Sequence, residues 1–345
     1  MFVLQAAIVK GRGGIATAVA HYERMFRAVG VRSAVVFRGP SADALRADGV
    51  DVMDAPALLT SPFGAAPFVL DRLRAEVRTR AGAEPLLVIV HSDLALAALR
   101  RLFPGALFAT PCHSDKFKRK RDADLVIALN QAQADACRAA LPGARIALLG
   151  NPYVASPATP PASEGALRVN FVARFIPTKS PLTLIAAFAK LKARPCLRFI
   201  GAGPLEGEMR AAAAEANVEA EFAGWLSAPF SHFHRNDVLV LPSEWEGLPY
   251  LLQEALDHCA PIIAADNPGN RAALADGAYG ALFPFGDALA LARTIEGALA
   301  DLDALRAKAE KGRAALHVRY GAEPFWRALT DELNQTPKRR DGRHA

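Results

Sequence analysis

Short apolar runs of about four to eight residues recur along the chain, separated by longer stretches whose apolar positions return at helical spacing. That alternation predicts a parallel sheet covered by helices. In the first part the runs predict strands at Phe2–Val9, Ser33–Arg38, Leu86–Val90, Ala106–Ala109, Leu125–Leu129 and Arg145–Leu149. In the second they predict strands at Arg168–Arg174, Leu197–Ile200, Ala220–Phe222, Val238–Leu241, Pro261–Ala265 and Ala281–Phe283. Between the two sets, Pro152 to Gly165 contains four prolines and no apolar period, the composition of a linker. Asp301 to Asn334 reads as helices broken near Gly321 and Pro324, and residues 337–345 as a frayed, polar terminus. No self-similar period is visible, which excludes a solenoid.

The expected organisation is two Rossmann-like α/β domains of similar size. Residues 1–152 form the first, 153–165 a Pro-rich linker, 166–320 the second, and 321–345 a C-terminal helix and basic tail. That helix could cross back to the first domain. With 345 residues, 52% apolar and 22% charged, the chain can fill sizeable cores, so a disordered chain and a disulfide-stapled mini-fold are excluded. No apolar run approaches the ~18–20 residues that span a bilayer. Met1 to Lys10 lacks a basic n-region and reads as a first strand rather than a signal peptide. Cys112, Cys137, Cys196 and Cys259 show neither a CxxC pair nor zinc spacing and are expected to be reduced and structural, in a cytoplasmic protein.

Charge separates the halves. Residues 1–155 carry 20 Lys and Arg against 13 Asp and Glu, a net +7, whereas residues 156–345 carry 21 against 22, a net −1. Only the first half is expected to face something anionic. Much of its charge lies in Lys116-Phe117-Lys118-Arg119-Lys120-Arg121. Lys116, Lys118, Arg119, Lys120 and Arg121 suit a solvated face, or else an anionic acceptor or an acidic lipid surface. The chain lacks the interleaved aromatics of a nucleic-acid binder.

Three segments could carry chemistry. Gly11-Arg12-Gly13-Gly14 joins the first strand to a helix opening near Ile15. The spacing is not GxGxxG and no acidic residue follows the next strand, so a nicotinamide dinucleotide site is not indicated, and alone the segment reads as a tight turn. After the strand at 168–174, Arg174 and Lys179 flank a helix start where Ser180 is the expected N-cap and Pro181 the first helical residue. Two cations at the positive end of a helix are unfavourable unless an anion sits there, which suits a diphosphate. Third, Val238–Leu241 runs into Pro242-Ser243-Glu244-Trp245-Glu246-Gly247-Leu248-Pro249-Tyr250 and then Glu254. Ser243 and Glu246 mimic a capping box, but Gly247 and Pro249 would break the helix it starts. Glu246 and Glu254, one in the loop and one on the helix, can each accept a pair of hydroxyl donors. Hydrogen bonds to a charged acceptor contribute roughly 1.5–3 kcal/mol each.

Glu246 and Glu254, with seven residues between them, resemble the E-x7-E signature of retaining glycosyltransferase family 4, of the GT-B fold. Val172-Ala173-Arg174 with Lys179, Gly201-Ala202-Gly203-Pro204-Leu205, Phe222-Ala223-Gly224-Trp225, Pro261–Asp266 and Gly280–Pro284 follow that family's order. The resemblance spans residues 168–290; in the first half it rests on Gly13, Gly14, His113, and Asp124–Leu129 followed by Asn130. It implies an α/β protein of two Rossmann-like domains facing each other across a cleft, transferring a hexose-type sugar from a nucleotide-diphosphate sugar (a UDP- or GDP-sugar) to a hydroxyl of a glycan or glycolipid, such as a lipopolysaccharide core. It implies that Glu246 with Gly247, Leu248, Pro249 and Tyr250 holds the donor sugar, Glu254 the ribose, Arg174 and Lys179 the diphosphate, and that Gly13 and Gly14 approach it. Gly224 and Trp225 would line the base pocket, and His113 would lie near the reacting sugar, with His91 a second candidate. The catalytic set is then Arg174, Lys179, Glu246 and His113, with no cofactor and no metal. Asp122-x-Asp124 opens a buried strand and reads as turn chemistry. Such an enzyme would be cytoplasmic, peripheral at the inner face of the membrane if the basic run binds it. The rivals are a GT-B epimerase or phosphorylase, and a non-catalytic sugar-nucleotide-binding protein.

Overall fold

Phe2–Ile8 (β1) is buried along nearly its whole length, as expected of a strand with both sheet faces covered. Its neighbours are β2 (Ser33–Arg38) and β4 (Leu86–Val90), both parallel to it. With β3 (Val52–Asp54), β5 (Leu107–Pro111), β6 (Leu125–Ala128) and β7 (Ile146–Leu148) they form a seven-stranded parallel sheet in the order β3-β2-β1-β4-β5-β6-β7. Helices α1 (Gly14–Ala28), α2 (Ala42–Ala47), α3 (Pro67–Ala81), α4 (Leu96–Leu102) and α5 (Gln131–Ala140) make the crossovers. The Asn130 side chain accepts the Gln133 N–H at 2.9 Å and so caps α5.

The second sheet has six parallel strands: β8 (Arg168–Val172), β9 (Cys196–Ile200), β10 (Ala220–Gly224), β11 (Val238–Leu241), β12 (Ile262–Asp266) and β13 (Ala281–Pro284). Their order is β10-β9-β8-β11-β12-β13. Helices α6 (Pro181–Phe188), α7 (Glu206–Glu215), α8 (Tyr250–Asp257), α9 (Pro268–Leu274), α10 (Ala288–Ala300) and α11 (Leu302–Tyr320) accompany it. The last helix, α12 (Ala322–Asn334), packs on α1: Phe325, Leu329 and Leu333 share a cluster with Tyr22 and Phe26.

This computed structural model describes residues 1–9, 13–56, 59, 67–155 and 165–335. They form two compact units, Met1–Val154 with Tyr320 onward, and Ala155–Arg319. Most of the Pro-rich linker, Gly11-Arg12 and the basic tail lie outside the described residues. Each sheet reverses its strand order beside its first strand, between β1 and β4 and between β8 and β11. Ligands bind beyond the carboxyl ends of strands at such a switch point. The short edge strand β3 departs from the expected set. The helix break expected near Gly321 and Pro324 falls at Gly321, and Pro324 is the third residue of α12, where its missing N–H has no partner to lose.

Candidate active site

In the second unit the segment after β8 is clamped from below. Phe175 is fully buried, edge-on to Phe199 and Phe222 at 6.2 and 6.3 Å between ring centres. Its N–H donates to Ala202 O at 3.0 Å and its carbonyl accepts Leu205 N–H at 3.1 Å. Gly201, at φ +145, and Gly203 permit this approach: a Cβ on them would lie 1.9 Å from Ala173 O and 2.4 Å from Phe175 O. Arg174, between these fixed residues, is exposed.

The chain then makes a short 3-10 turn, Pro177–Lys179, before α6. Ser180 does not cap α6 as expected. It sits in the left-handed region at φ 48°, and its hydroxyl donates back to Pro177 O at 3.2 Å. A cap needs extended backbone to aim its oxygen at the helix amides, and the 3-10 turn rules that out. Pro181 does open α6.

Lys179 forms an ion pair with Glu246, so the residue expected at a diphosphate and the one expected at a sugar hold each other. The two loops are also joined by Glu244 N–H to Thr178 O at 3.0 Å. Glu246, Gly247 and Leu248 are buried at the β11–α8 connection. Pro249 is the extended N-cap residue of α8, and Glu254 lies half-buried on that helix. No capping box forms, since the buried Ser243 hydroxyl has no partner among the described residues. Two supports escaped the sequence reading. Asn267 caps α9 and donates its amide to Ser243 O at 3.0 Å. Gly269 lies under the loop, where a Cβ would sit 2.3 Å from Glu246 O. The signal was present in Asn267-Pro268-Gly269, an N-cap and a first-turn proline followed by a glycine. Gly224, at φ +70, accepts Gly201 N–H at 2.8 Å, and Trp225 beside it is exposed.

In the first unit, Gly13 is the extended residue before α1, and a Cβ on Gly14 would meet nothing among the described residues. His91 follows β4 and His113 follows β5. Their rings are joined, Nδ1 of His91 to Nε2 of His113, at 2.9 Å, and are nearly coplanar at 16°. Burial, then the neighbouring His113, holds His91 well below the ordinary histidine pKa. Burial, then the Lys120 charge, lowers His113 to about 3. Both rings are therefore neutral near pH 7.

Lys120 corrects an expectation. Lys116, Lys118, Arg119 and Arg121 are exposed, but Lys120 is 1% exposed and paired with Asp93. The run folds as a 3-10 turn over Phe117–Lys120, which points its last lysine inward. Asp124 accepts both Arg100 nitrogens and the Phe108 N–H, each at 2.9 Å, so it supports β5 and β6. Among the described residues no three of His, Cys, Asp and Glu converge as a metal-ligand set. Among them, too, no helix is long and apolar enough to cross a membrane.

Residues 157–315 match the family model of glycosyl transferases group 1. Solved structures similar to the whole chain include Anabaena HepE in complex with UDP and glucose, at 18% identity and TM-score 0.77, covering 97% of this chain and 99% of that one. Sucrose-phosphate synthase from Thermosynechococcus elongatus aligns at 18% identity and TM-score 0.79, over 97% and 98%. The lipopolysaccharide outer core galactosyltransferase WaaB, in its apo form, aligns at 18% and 0.69, over 96% and 99%. No curated protein matches the sequence. At these identities the structural likeness concerns the fold, which is that of the GT-B glycosyltransferases. The group 1 match and the GT-B neighbours together support a glycosyltransferase.

Proposed function

We propose that the chain is a retaining, metal-independent glycosyltransferase of family 4. It would move a hexose-type sugar from a UDP- or GDP-sugar to a hydroxyl of a glycan or glycolipid, such as a lipopolysaccharide core. The observation that carries this reading is the second unit's switch point. Arg174 follows β8, Glu246 follows the adjacent β11, Lys179 bonds Glu246 directly, and Glu254 lies on the helix that Pro249 begins.

Breaking a sugar–phosphate bond leaves positive charge on the sugar and negative charge on the departing diphosphate. Arg174 and Lys179 stabilise the second, and cations aimed at developing charge supply a large part of catalysis. An arriving diphosphate takes Lys179 as its partner and frees the Glu246 carboxylate for the sugar hydroxyls. Glu254 accepts the two ribose hydroxyls. The leaving phosphate takes the proton of the acceptor hydroxyl, so Glu246 need not act as a nucleophile. Gly14, where a Cβ would meet nothing among the described residues, suits close approach to the donor, and His113 offers a neutral imidazole to the reacting sugar. The exposed Lys116, Lys118, Arg119 and Arg121 suit an acidic acceptor or the inner face of a membrane.

Thermal shift against UDP-, GDP- and ADP-sugars identifies the donor, and product analysis with labelled donor follows the transferred sugar and its anomeric configuration. Glu254→Ala is expected to weaken nucleoside-diphosphate binding roughly ten- to a hundredfold. Arg174→Ala is expected to cut turnover by about 10²–10³, more than it cuts donor affinity. Unchanged transfer by both variants overturns the site. Turnover of donor without an acceptor points instead to an epimerase or phosphorylase, and binding without turnover across an acceptor panel to a non-catalytic binder.

A further inference from the structure

Gln5 is a polar residue at the centre of a strand that is otherwise apolar, and it is fully buried. An amide in that position costs stability unless both its ends are bonded. Its nitrogen faces the Val19 carbonyl at 3.4 Å and the Glu23 carboxylate. A backbone carbonyl can only accept, so the amide nitrogen must point that way. Glu23 is itself held by the Ser33 hydroxyl at 2.8 Å. The Gln5 oxygen is thereby turned to His91 Nε2, 2.7 Å away.

The remaining assignments follow by elimination. An amide oxygen has no proton to give, so His91 Nε2 carries one. His91 is neutral, which leaves Nδ1 a bare lone pair. That lone pair lies 2.9 Å from His113 Nε2, which must then carry the proton of the bond between them. Near-coplanar rings put this N–H in line with the lone pair, and Tyr22 braces His91 edge-on at 5.2 Å between ring centres. The buried Lys120 beside its Asp93 partner opposes a second proton on His113. His113 Nδ1 makes no hydrogen bond among the described residues, and the ring is half-buried.

We propose that Gln5 and His91 are positioning residues that fix His113 as its Nε2–H tautomer, so that its Nδ1 accepts a hydrogen bond from a substrate hydroxyl. The substrate end rests on the function proposed above; the tautomer does not. A chain of hydrogen bonds that ends on the Val19 carbonyl and the Glu23 carboxylate, and runs to them through His91 and Gln5, thus sets the chemistry of one atom on β5's loop. An imidazole locked this way cannot serve as a general acid toward the substrate at neutral pH. It reads the sugar as an acceptor only.

The test uses the full chain with ¹⁵N-labelled histidine and two-bond proton–nitrogen correlation at pH 7.5 and 6.0. Both His91 and His113 are expected as neutral Nε2–H tautomers at both pH values. Gln5→Met keeps the strand's volume but removes the acceptor. It is expected to give His113 a mixture of tautomers and to lower kcat at least about tenfold, with nucleoside-diphosphate affinity unchanged. Wild-type His113 found as the Nδ1–H form, or protonated at pH 6.0, overturns the proposal even if the variant fails to fold. So does a folded Gln5→Met chain with wild-type histidine shifts. If the tautomers are as expected but no sugar is transferred from any donor, the relay stands and the transferase reading fails.

Discussion

Both units reverse their strand order beside the first strand and carry their candidate residues after strands near that reversal, yet they build opposite kinds of site. The second unit sets charged side chains on loops, Arg174 exposed and Lys179 bound to Glu246. The first sets neutral imidazoles on buried polar partners, with a lysine turned inward beneath them. A charged loop site needs residue types at fixed spacing along one stretch of chain, and such spacing is visible in a sequence. A buried network needs partners on different strands. Gln5 and His91 are 86 positions apart, and nothing local marks them as a pair.

The sharpest way to break this contrast is to mutate neighbours within the basic run. Lys120→Met strands Asp93 in the interior and is expected to cost about 3–5 kcal/mol of stability in denaturant unfolding of the full chain. Lys118→Ala, two residues away on the surface, should change it by about 0.5 kcal/mol or less. Equal effects would mean that Lys120 is solvated like the rest of the run.

The glycines give a second comparison. Gly269→Ala drives a Cβ against the backbone at Glu246, and overpacking of that kind is expected to cost about 1–3 kcal/mol and to weaken nucleotide-sugar binding. Gly14→Ala meets nothing within the described chain, so stability should hold or rise by up to about 1 kcal/mol while donor use falls. Melting curves alongside donor titrations separate the two. Donor use unchanged by Gly14→Ala would remove that glycine from the site.

A third comparison is in pH. His91 and His113 are neutral when folded and take up protons when unfolded once the pH falls below the ordinary value of 6.5. Their contribution is full above that value and is lost as the pH falls toward about 3, where His113 protonates in place. Between pH 7.5 and 4.5 the wild-type melting temperature should therefore fall further than that of a His91→Asn, His113→Gln double variant. Parallel curves would show that the rings are not held neutral.

The sequence carried both sheets and named the second unit's candidate residues, and the departures have physical causes. Buried parallel strands such as Val238–Leu241 are unbroken apolar runs and cannot be mistaken. The edge strand β3 is only three residues, Val52–Asp54, too short for any period. Lys120 was hidden by its neighbours, because a run of cations gives no sign of which one a 3-10 turn will bury. Ser180 had the right side chain for a cap but the wrong backbone, a property of φ and ψ rather than of composition. Gln5 is an amide in an otherwise apolar strand, a signal that escaped the sequence reading, and the bonds that explain it come from Val19, Glu23 and His91.

The helix that finishes the first unit's core is encoded after the whole of the second. Phe325, Leu329 and Leu333 pack against Tyr22 and Phe26, which a ribosome makes some three hundred residues earlier. During synthesis the second unit can close while the first still presents an uncovered apolar face, the reverse of the usual N-terminal-first order. The nascent chain must keep that face from wrong partners until its final turns emerge.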